Sequence, residues 1–201
     1  MRIKILALAL CAAAAAGAQV FPLGNRSGVA TCGILSAATG SIAGSEVQVV
    51  QCQLGPNQLQ VGSSYLLVAY GQANNSITTA QTYTFRMRVG TTSLSGAIAA
   101  SVAPANNQTT NCALASIEVF GVITVRSIGS SGTITGNIGA HSANGTGATA
   151  AFNGGLANSV SATTSTVSID TTAQNIVEFT AATSSASVVL TFQEAAIFPL
   201  Q

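Results

Sequence analysis

Charged side chains are scarce in this sequence, and their scarcity excludes several classes of function. Asp, Glu, Lys and Arg together make up 5% of the 201 residues, against about 25% in an average soluble domain. The only lysine is Lys4. A chain with so few cations cannot neutralise the many phosphates on which nucleic-acid affinity depends. We therefore expect no nucleic-acid partner.

Residues that carry catalysis or bind metals are also rare. Histidine and aspartate occur once each, as His141 and Asp170, and tryptophan is absent. A Ser-His-Asp triad needs a histidine oriented by an acid, a glycosidase needs paired carboxylates, and metal sites need clustered His, Cys or Asp ligands. The remaining carboxylates are scattered along the chain. We expect no enzyme, no cofactor, and no catalytic or metal-ligating residues.

The first residues have the three-part pattern of a secretory signal peptide. Arg2 and Lys4 form a positively charged start, residues 5–16 are apolar, and residues 16–18 form a small-residue cleavage site. The apolar run is too short for a bilayer-spanning helix, which needs about 20 residues. We predict that residues 1–18 are removed on export, and that the mature chain has no transmembrane segment.

Three cysteines remain after cleavage: Cys32, Cys52 and Cys112. Export permits a disulfide, although three cysteines leave one over. Cys32–Cys52 is the favoured pair, because both lie near the N-terminus. Free buried cysteines are an equally good interpretation of the same residues.

Two regions follow the leader. Residues 19–40 contain proline, glycines and small residues without clear periodicity, and they predict an extended arm. From residue 41 to residue 201, short apolar runs alternate with Gly, Asn, Ser and Pro, which is typical of strands and turns. This pattern predicts an antiparallel jelly-roll-like β-sandwich of about eight or nine strands. The strands are predicted at 46–54, 64–71, 83–89, 117–126, 165–170, 175–181 and 187–194, with weaker ones at 133–138 and 148–153.

The segment 117–126 carries apolar residues on both of its faces. Val119 and Ile123 lie on one face, and Phe120 and Val122 on the other. A two-layer sandwich buries only one face of each sheet, so the second apolar face needs another partner. We predict that Phe120 and Val122 contact another copy of the chain. Residues 139–163, which include His141, are predicted to form a long loop.

Several segments carry a resemblance to a known class of domain. They are LGPNQLQVG at 54–62, TFRMRVG at 84–90, VITVRSIGSSGT at 122–133, VSIDTTA at 167–173 and FTAA at 179–182. In this order they resemble the jelly-roll domains of tailed-phage virion proteins, of the head-fibre, decoration or tail-associated kind. The resemblance covers roughly residues 41–201. It implies a structural role, assembly as a homotrimer, and contacts with other virion proteins.

The same segments contain residues suited to tight turns. Asn57 and Gly62 flank a short hook, Gly129 and Gly132 bracket a turn that permits positive φ, and Asp170 can accept hydrogen bonds from the following backbone. These features are structural. The main functional hypothesis is therefore a non-enzymatic virion component. The alternative is a secreted or cell-surface β-sandwich module that binds carbohydrate or protein, with a surface glycan as one partner.

Overall fold

The computed structural model describes most of the chain from residue 31 onward. The described ranges are 31–35, 37–75, 81–103, 105–106, 112–142, 159–163 and 166–200. The predicted leader, the first part of the predicted arm and the predicted strand at 148–153 lie outside these residues.

Within the described residues the secondary structure consists of twelve strands without a helix. Residues with β-branched and aromatic side chains are frequent in them, which suits a pleated, half-buried surface. Their bounds are β1 Thr31–Cys32, β2 Val47–Leu54, β3 Ser64–Asn75, β4 Gln81–Gly90, β5 Ala97–Val102, β6 Ala105–Asn106, β7 Cys112–Ser127, β8 Gly132–Ser142, β9 Ser159–Thr163, β10 Val167–Ile169, β11 Asn175–Thr183 and β12 Val188–Leu200.

The strands form two sheets that pack face to face. Sheet A has the order β1-β2-β11-β4-β5, with β6 beside β4, and sheet B has the order β10-β8-β7-β3-β12, with β9 beside β8. The pairings are antiparallel throughout. The predicted all-β, antiparallel, jelly-roll-like sandwich is confirmed.

The core lies between the inner faces of the two sheets. In β4, residues buried against sheet B alternate with half-buried ones, as the period of two predicts. Phe85 and Phe179 from sheet A meet Phe192 from sheet B, with ring centroids 5.2 to 6.3 Å apart. All three rings are at most 1% exposed. This aromatic cluster joins the two layers at the centre of the sandwich.

Residues 33–35 and 37–42, which we call the strap, run along the free edge of β12. The amide of Leu35 donates to the carbonyl of Ala195 at 2.8 Å, and Ile42 and Leu190 exchange backbone bonds of 2.9 and 3.0 Å. The strap thereby pairs edge groups that would otherwise be open to another strand. The described end of the predicted arm is therefore part of the sandwich, and residue 41 lies inside the strap.

The strap is fastened to sheet A at its N-terminal end. Cys32 of β1 lies opposite Cys52 of β2, and the structure joins the two in a disulfide. This is the pair that the sequence favoured. The bond connects the chain before the strap to the edge of sheet A, while the strap itself follows the edge of sheet B.

We expect reduction of the disulfide to destabilise the protein. The bond closes a loop with a sequence separation of 20 residues, and the loss of unfolded-chain entropy for such a loop corresponds to about 3 kcal/mol. Urea denaturation with and without a reductant measures the effect. A Cys32→Ser/Cys52→Ser variant is the control and should not respond to reductant. Equal stability of the oxidised and reduced wild-type protein would contradict the pairing.

The predicted turns gather at one end of the sandwich. Thr171 is buried there; its hydroxyl accepts a bond from the amide of Gly129 at 2.7 Å, and its carbonyl accepts one from the amide of Asn57 at 3.0 Å. Asp170 accepts the amide of Thr172 at 2.9 Å, as predicted. Three residues in the predicted turns have positive φ: Asn57 at 60°, Gly62 at 87° and Gly129 at 113°.

The prediction of a loop from residue 139 to 163 is wrong at both ends. Residues up to Ser142 extend β8, and Ser159–Thr163 form β9. His141 therefore lies on a strand, with its Nδ1 3.8 Å from a carboxylate oxygen of Glu118 on β7. The strand predicted at 133–138 continues through Gly139 and Ala140, whose small side chains give no contrast between the two faces in the sequence.

Candidate functional site

The outer face of sheet A carries a compact ionic cluster. Glu46 accepts hydrogen bonds from Arg86 at 2.6 Å, from Arg88 at 2.9 and 3.0 Å, and from the Thr180 hydroxyl at 2.5 Å. These donors engage both oxygens of the carboxylate. Glu46 lies in the segment between the strap and β2. The cluster therefore ties this segment to β4 and β11.

The environment of Glu46 lowers the pKa of its carboxyl group below the ordinary value of 4.5. Partial burial raises the pKa, but the hydrogen bonds from Arg88 and Thr180 and the nearby positive charges outweigh it. A depressed folded-state pKa stabilises the fold above the unfolded value, and that contribution disappears as the pH falls through the folded pKa.

We therefore expect the stability of the protein to fall below pH 4.5 in part through Glu46. In Glu46→Gln this contribution is missing at neutral pH, so the variant should be less stable at pH 7 and less sensitive to acid. Urea denaturation midpoints of both proteins between pH 7 and pH 3 measure how the stability of each one changes with pH. Parallel curves for the two proteins would show that Glu46 is not coupled to folding.

Glu178 is the second carboxylate on this side, and it is buried. It points outward from β11, yet it is only 1% exposed because the β4–β5 loop covers it. Ser93 donates its hydroxyl to one carboxylate oxygen and Leu94 donates its amide to the other, both at 2.7 Å. The carboxylate therefore holds this loop against sheet A, and its oxygens are occupied.

Groups for metal binding or membrane spanning are not found in the part of the chain that the structure describes. No three His, Cys, Asp or Glu side chains there lie close enough together to hold a metal ion. No helix in the same ranges has the length and apolar character needed to cross a membrane.

The outer face of sheet B carries apolar side chains that are exposed or half-buried. They lie in two adjacent rows that run across β12, β3 and β7, and each row is fixed by the strand register. The residues are Ala196, Val68 and Phe120 in one row and Phe198, Leu66 and Val122 in the other. We call these six residues the apolar rows. Contiguous exposed patches of this kind mark interaction sites.

Polar residues border the apolar rows at both ends of the strands. On one side, Tyr70 pairs with Glu118, and Glu118 pairs with His141. On the other side lie Thr124 and Arg126 of β7, and the Nε of Arg126 donates to the hydroxyl of Thr135 at 3.2 Å. An apolar centre with a polar rim is the usual anatomy of a protein interface.

Phe120 is 47% exposed, and its position is set by a glycine on the neighbouring strand. Gly139 lies directly opposite Phe120 in the register of β7 and β8. A Cβ atom at Gly139 would lie 2.5 Å from Cζ of the Phe120 ring. The ring therefore lies over the glycine, covers its backbone, and presents its other surface to solvent.

A shallow groove of about 370 Å³ lies at the β12 edge of the same face. Its walls include Ile34 of the strap, Tyr70 and Phe198, and the carboxylate of Glu194 adjoins them. Ile34 is 72% exposed, so backbone bonds of the strap, and not burial of its side chain, hold this wall. The groove is continuous with the apolar rows.

The structure brings Phe120 and Val122 together on an exposed sheet face, where the sequence had placed them. The sequence singled out only these two residues, and Leu66, Val68 and Phe198 lie beside them on the same face. A signal for β3 was present, since residues 65–70 are apolar on both faces of the strand. Nothing in the sequence showed that β12, β3 and β7 are neighbours in this order.

Comparisons with known proteins give the following result. No protein-family profile and no curated protein matches the sequence. Among solved structures, the lectin I-B4 of Griffonia simplicifolia in its metal-free form shares 8% identity and a TM-score of 0.33, with 90% of this chain and 97% of that chain covered. The lectin of Bauhinia forficata in complex with GalNAc shares 8% identity and a TM-score of 0.31, with 85% and 93% covered. A legume lectin-like domain of Entamoeba histolytica shares 9% identity and a TM-score of 0.27, with 85% and 90% covered.

Proposed function

We propose that the protein is a non-catalytic β-sandwich module that binds another protein through the outer face of sheet B. The observation that carries the proposal is the continuity of the apolar rows across three strands. Phe120 and Phe198 are 47% and 44% exposed in the single chain. The exposure of these rings to water is unfavourable. Their burial against a partner surface would stabilise the complex by about 25 cal/mol per Å² of apolar area removed from water.

The chemistry of the apolar rows favours a protein partner. Leu66, Val68 and Val122 are aliphatic and offer no hydrogen-bonding groups. A ligand rich in hydroxyl groups would lose hydrogen bonds to water there without gaining new ones. Apolar side chains of a protein partner make no such hydrogen bonds and would lose none. The polar rim of Tyr70 and Glu118 supplies the hydrogen bonds expected around such a contact.

A non-catalytic role is part of the same proposal. The carboxylates of Glu46 and Glu178 are engaged by donors from their own chain. His141 lies on a strand beside Glu118 without a nucleophile in the interactions described for it. The proposal covers both settings predicted from the sequence, a virion surface and the exterior of a cell, because either would use a contact face.

Carbohydrate binding is the second candidate, and the groove at the β12 edge favours it. Tyr70 and Phe198 provide flat apolar surfaces, and Glu194 can accept hydrogen bonds from hydroxyl groups. A pocket that combines apolar walls with few polar groups is typical of small-ligand sites. A glycan array probed with the wild-type protein and with Tyr70→Ala tests this candidate. The candidate requires that the wild-type protein binds a glycan and that the variant does not.

The main proposal is tested by photo-cross-linking. A photoreactive phenylalanine analogue replaces Phe120 in the recombinant protein, and in a control it replaces Gln53, which is exposed on β2 of sheet A. Both are irradiated alone and with an extract of the cells that make the protein. We expect protein adducts from position 120 and few from position 53. Equal labelling from both positions would contradict a specific face.

A further inference from the structure

We infer that the partner of the apolar rows is a second copy of this chain, related by a two-fold axis that crosses β7 at Val122. The inference rests on the proposed function, since it names the occupant of the same face. Glu118 and Arg126 lie on β7, and each is four residues from Val122.

The equal spacing makes the face complementary to itself. Residues in a strand advance by about 3.3 Å, so Glu118 lies about 13 Å from Val122. Arg126 lies about as far in the opposite direction, shortened slightly by the register shift between Val125 and Ser127. A two-fold axis perpendicular to the strands, in the plane between two facing sheets, reverses the strand direction and keeps each strand opposite its own copy. Glu118 of one chain then faces Arg126 of the other, twice in the dimer.

The side chains lean in directions that suit this pairing. Glu118 points toward His141 of β8, with the two side chains 3.8 Å apart. Arg126 also points toward β8, where its Nε donates to Thr135. Both charges therefore project over the same neighbouring strand, on opposite sides of the axis. Since the operation keeps each strand opposite its own copy, the opposite charges approach one another over β8.

One of the two apolar rows lies on this axis. Val122, Leu66 and Phe198 therefore face their own copies, as two sheets pack at about 10 Å in a sandwich. Phe120 lies two residues from the axis and faces the level of Thr124 in the other copy. Four strands about 4.8 Å apart and eight residue steps outline a face of roughly 15 by 25 Å. This is about 375 Å² on each copy, smaller than a stable interface and in the size range of weak, transient contacts, so we expect a weak dimer that dissociates in the micromolar range.

Charge reversal tests the arrangement. Glu118→Arg places two arginines together at both ends of the interface, and Arg126→Glu does the same with carboxylates. Each single variant should raise the dimer dissociation constant roughly tenfold. The double variant Glu118→Arg/Arg126→Glu restores opposite charges and should return within about twofold of wild type. Gln53→Arg on the outer face of sheet A is the control and should have no effect.

Sedimentation at pH 8, from 1 to 200 µM, measures the dimer dissociation constant of the purified mature wild-type chain and of the four variants. A dimer weakened by the single reversals and restored by the double one supports the inference. A monomer throughout overturns it, and adducts to other proteins at position 120 would then leave the proposed function standing. A trimer, or a dimer indifferent to the reversals, overturns the two-fold arrangement.

Discussion

Phe120→Asp is expected to give a folded monomer at concentrations where the wild-type protein associates. Phe120 is the β7 end of one apolar row, two residues from the inferred axis, so one carboxylate from each chain would be buried against the partner in every dimer. Burial of unpaired charge costs several kcal/mol for each ion. We therefore expect the dissociation constant to rise at least about a hundredfold.

The fold should survive this substitution, because the ring is 47% exposed and packs mainly over Gly139. Loss of that partial burial is worth about 1 to 2 kcal/mol. Light scattering reports the mass, and thermal melting reports the fold. Phe120→Leu keeps an apolar side chain and should stay associated. Cooperative unfolding of Phe120→Asp at a greatly lowered temperature would place Phe120 among the residues of the core instead.

Phe179→Ala is expected to cause the largest loss of stability in the sandwich. The Phe179 ring is fully buried and lies 5.2 Å from Phe192 and 6.3 Å from Phe85, measured between centroids. Truncation leaves a cavity between the two sheets, and buried Phe→Ala changes cost about 3 to 5 kcal/mol. For a chain of this size we expect the melting temperature to drop by roughly 10 °C.

Phe198→Ala is the matched control, since it removes the same atoms from a ring that is 44% exposed. Its effect on monomer stability should be below about 1.5 kcal/mol. Calorimetry of both variants under dilute conditions separates folding from association. Similar losses of stability for the two variants would mean that the aromatic cluster does not join the layers.

Much of the local structure could be predicted from the sequence, because it depends on neighbours along the chain. The alternation from Tyr83 to Val89 placed apolar residues on one face of β4, and that face is buried. The turn at Asp170 depends on a hydrogen bond to Thr172, two residues away. Strand β5, with the sequence AIAASV, was missed because its small residues give no contrast between the two faces.

The candidate face could be predicted only in part. Phe120 and Val122 stood out because β7 is apolar on both faces, a property of one strand. Leu66 and Phe198 join them through the register of β3 and β12, and Phe198 is 132 residues from Leu66 in the sequence. Their proximity depends on sheet order, which pairs strands distant along the chain. Sequence periodicity carries no information on that order.

The sequence by itself determined the class of fold, the low charge and the shortage of catalytic side chains, because composition and a period of two are properties of the chain alone. Only the tertiary structure decided which apolar residues stay exposed, that the strap covers the β12 edge, and that Glu178 is buried beneath the β4–β5 loop. These features depend on which strands become neighbours. That order follows from the packing of two sheets around one core.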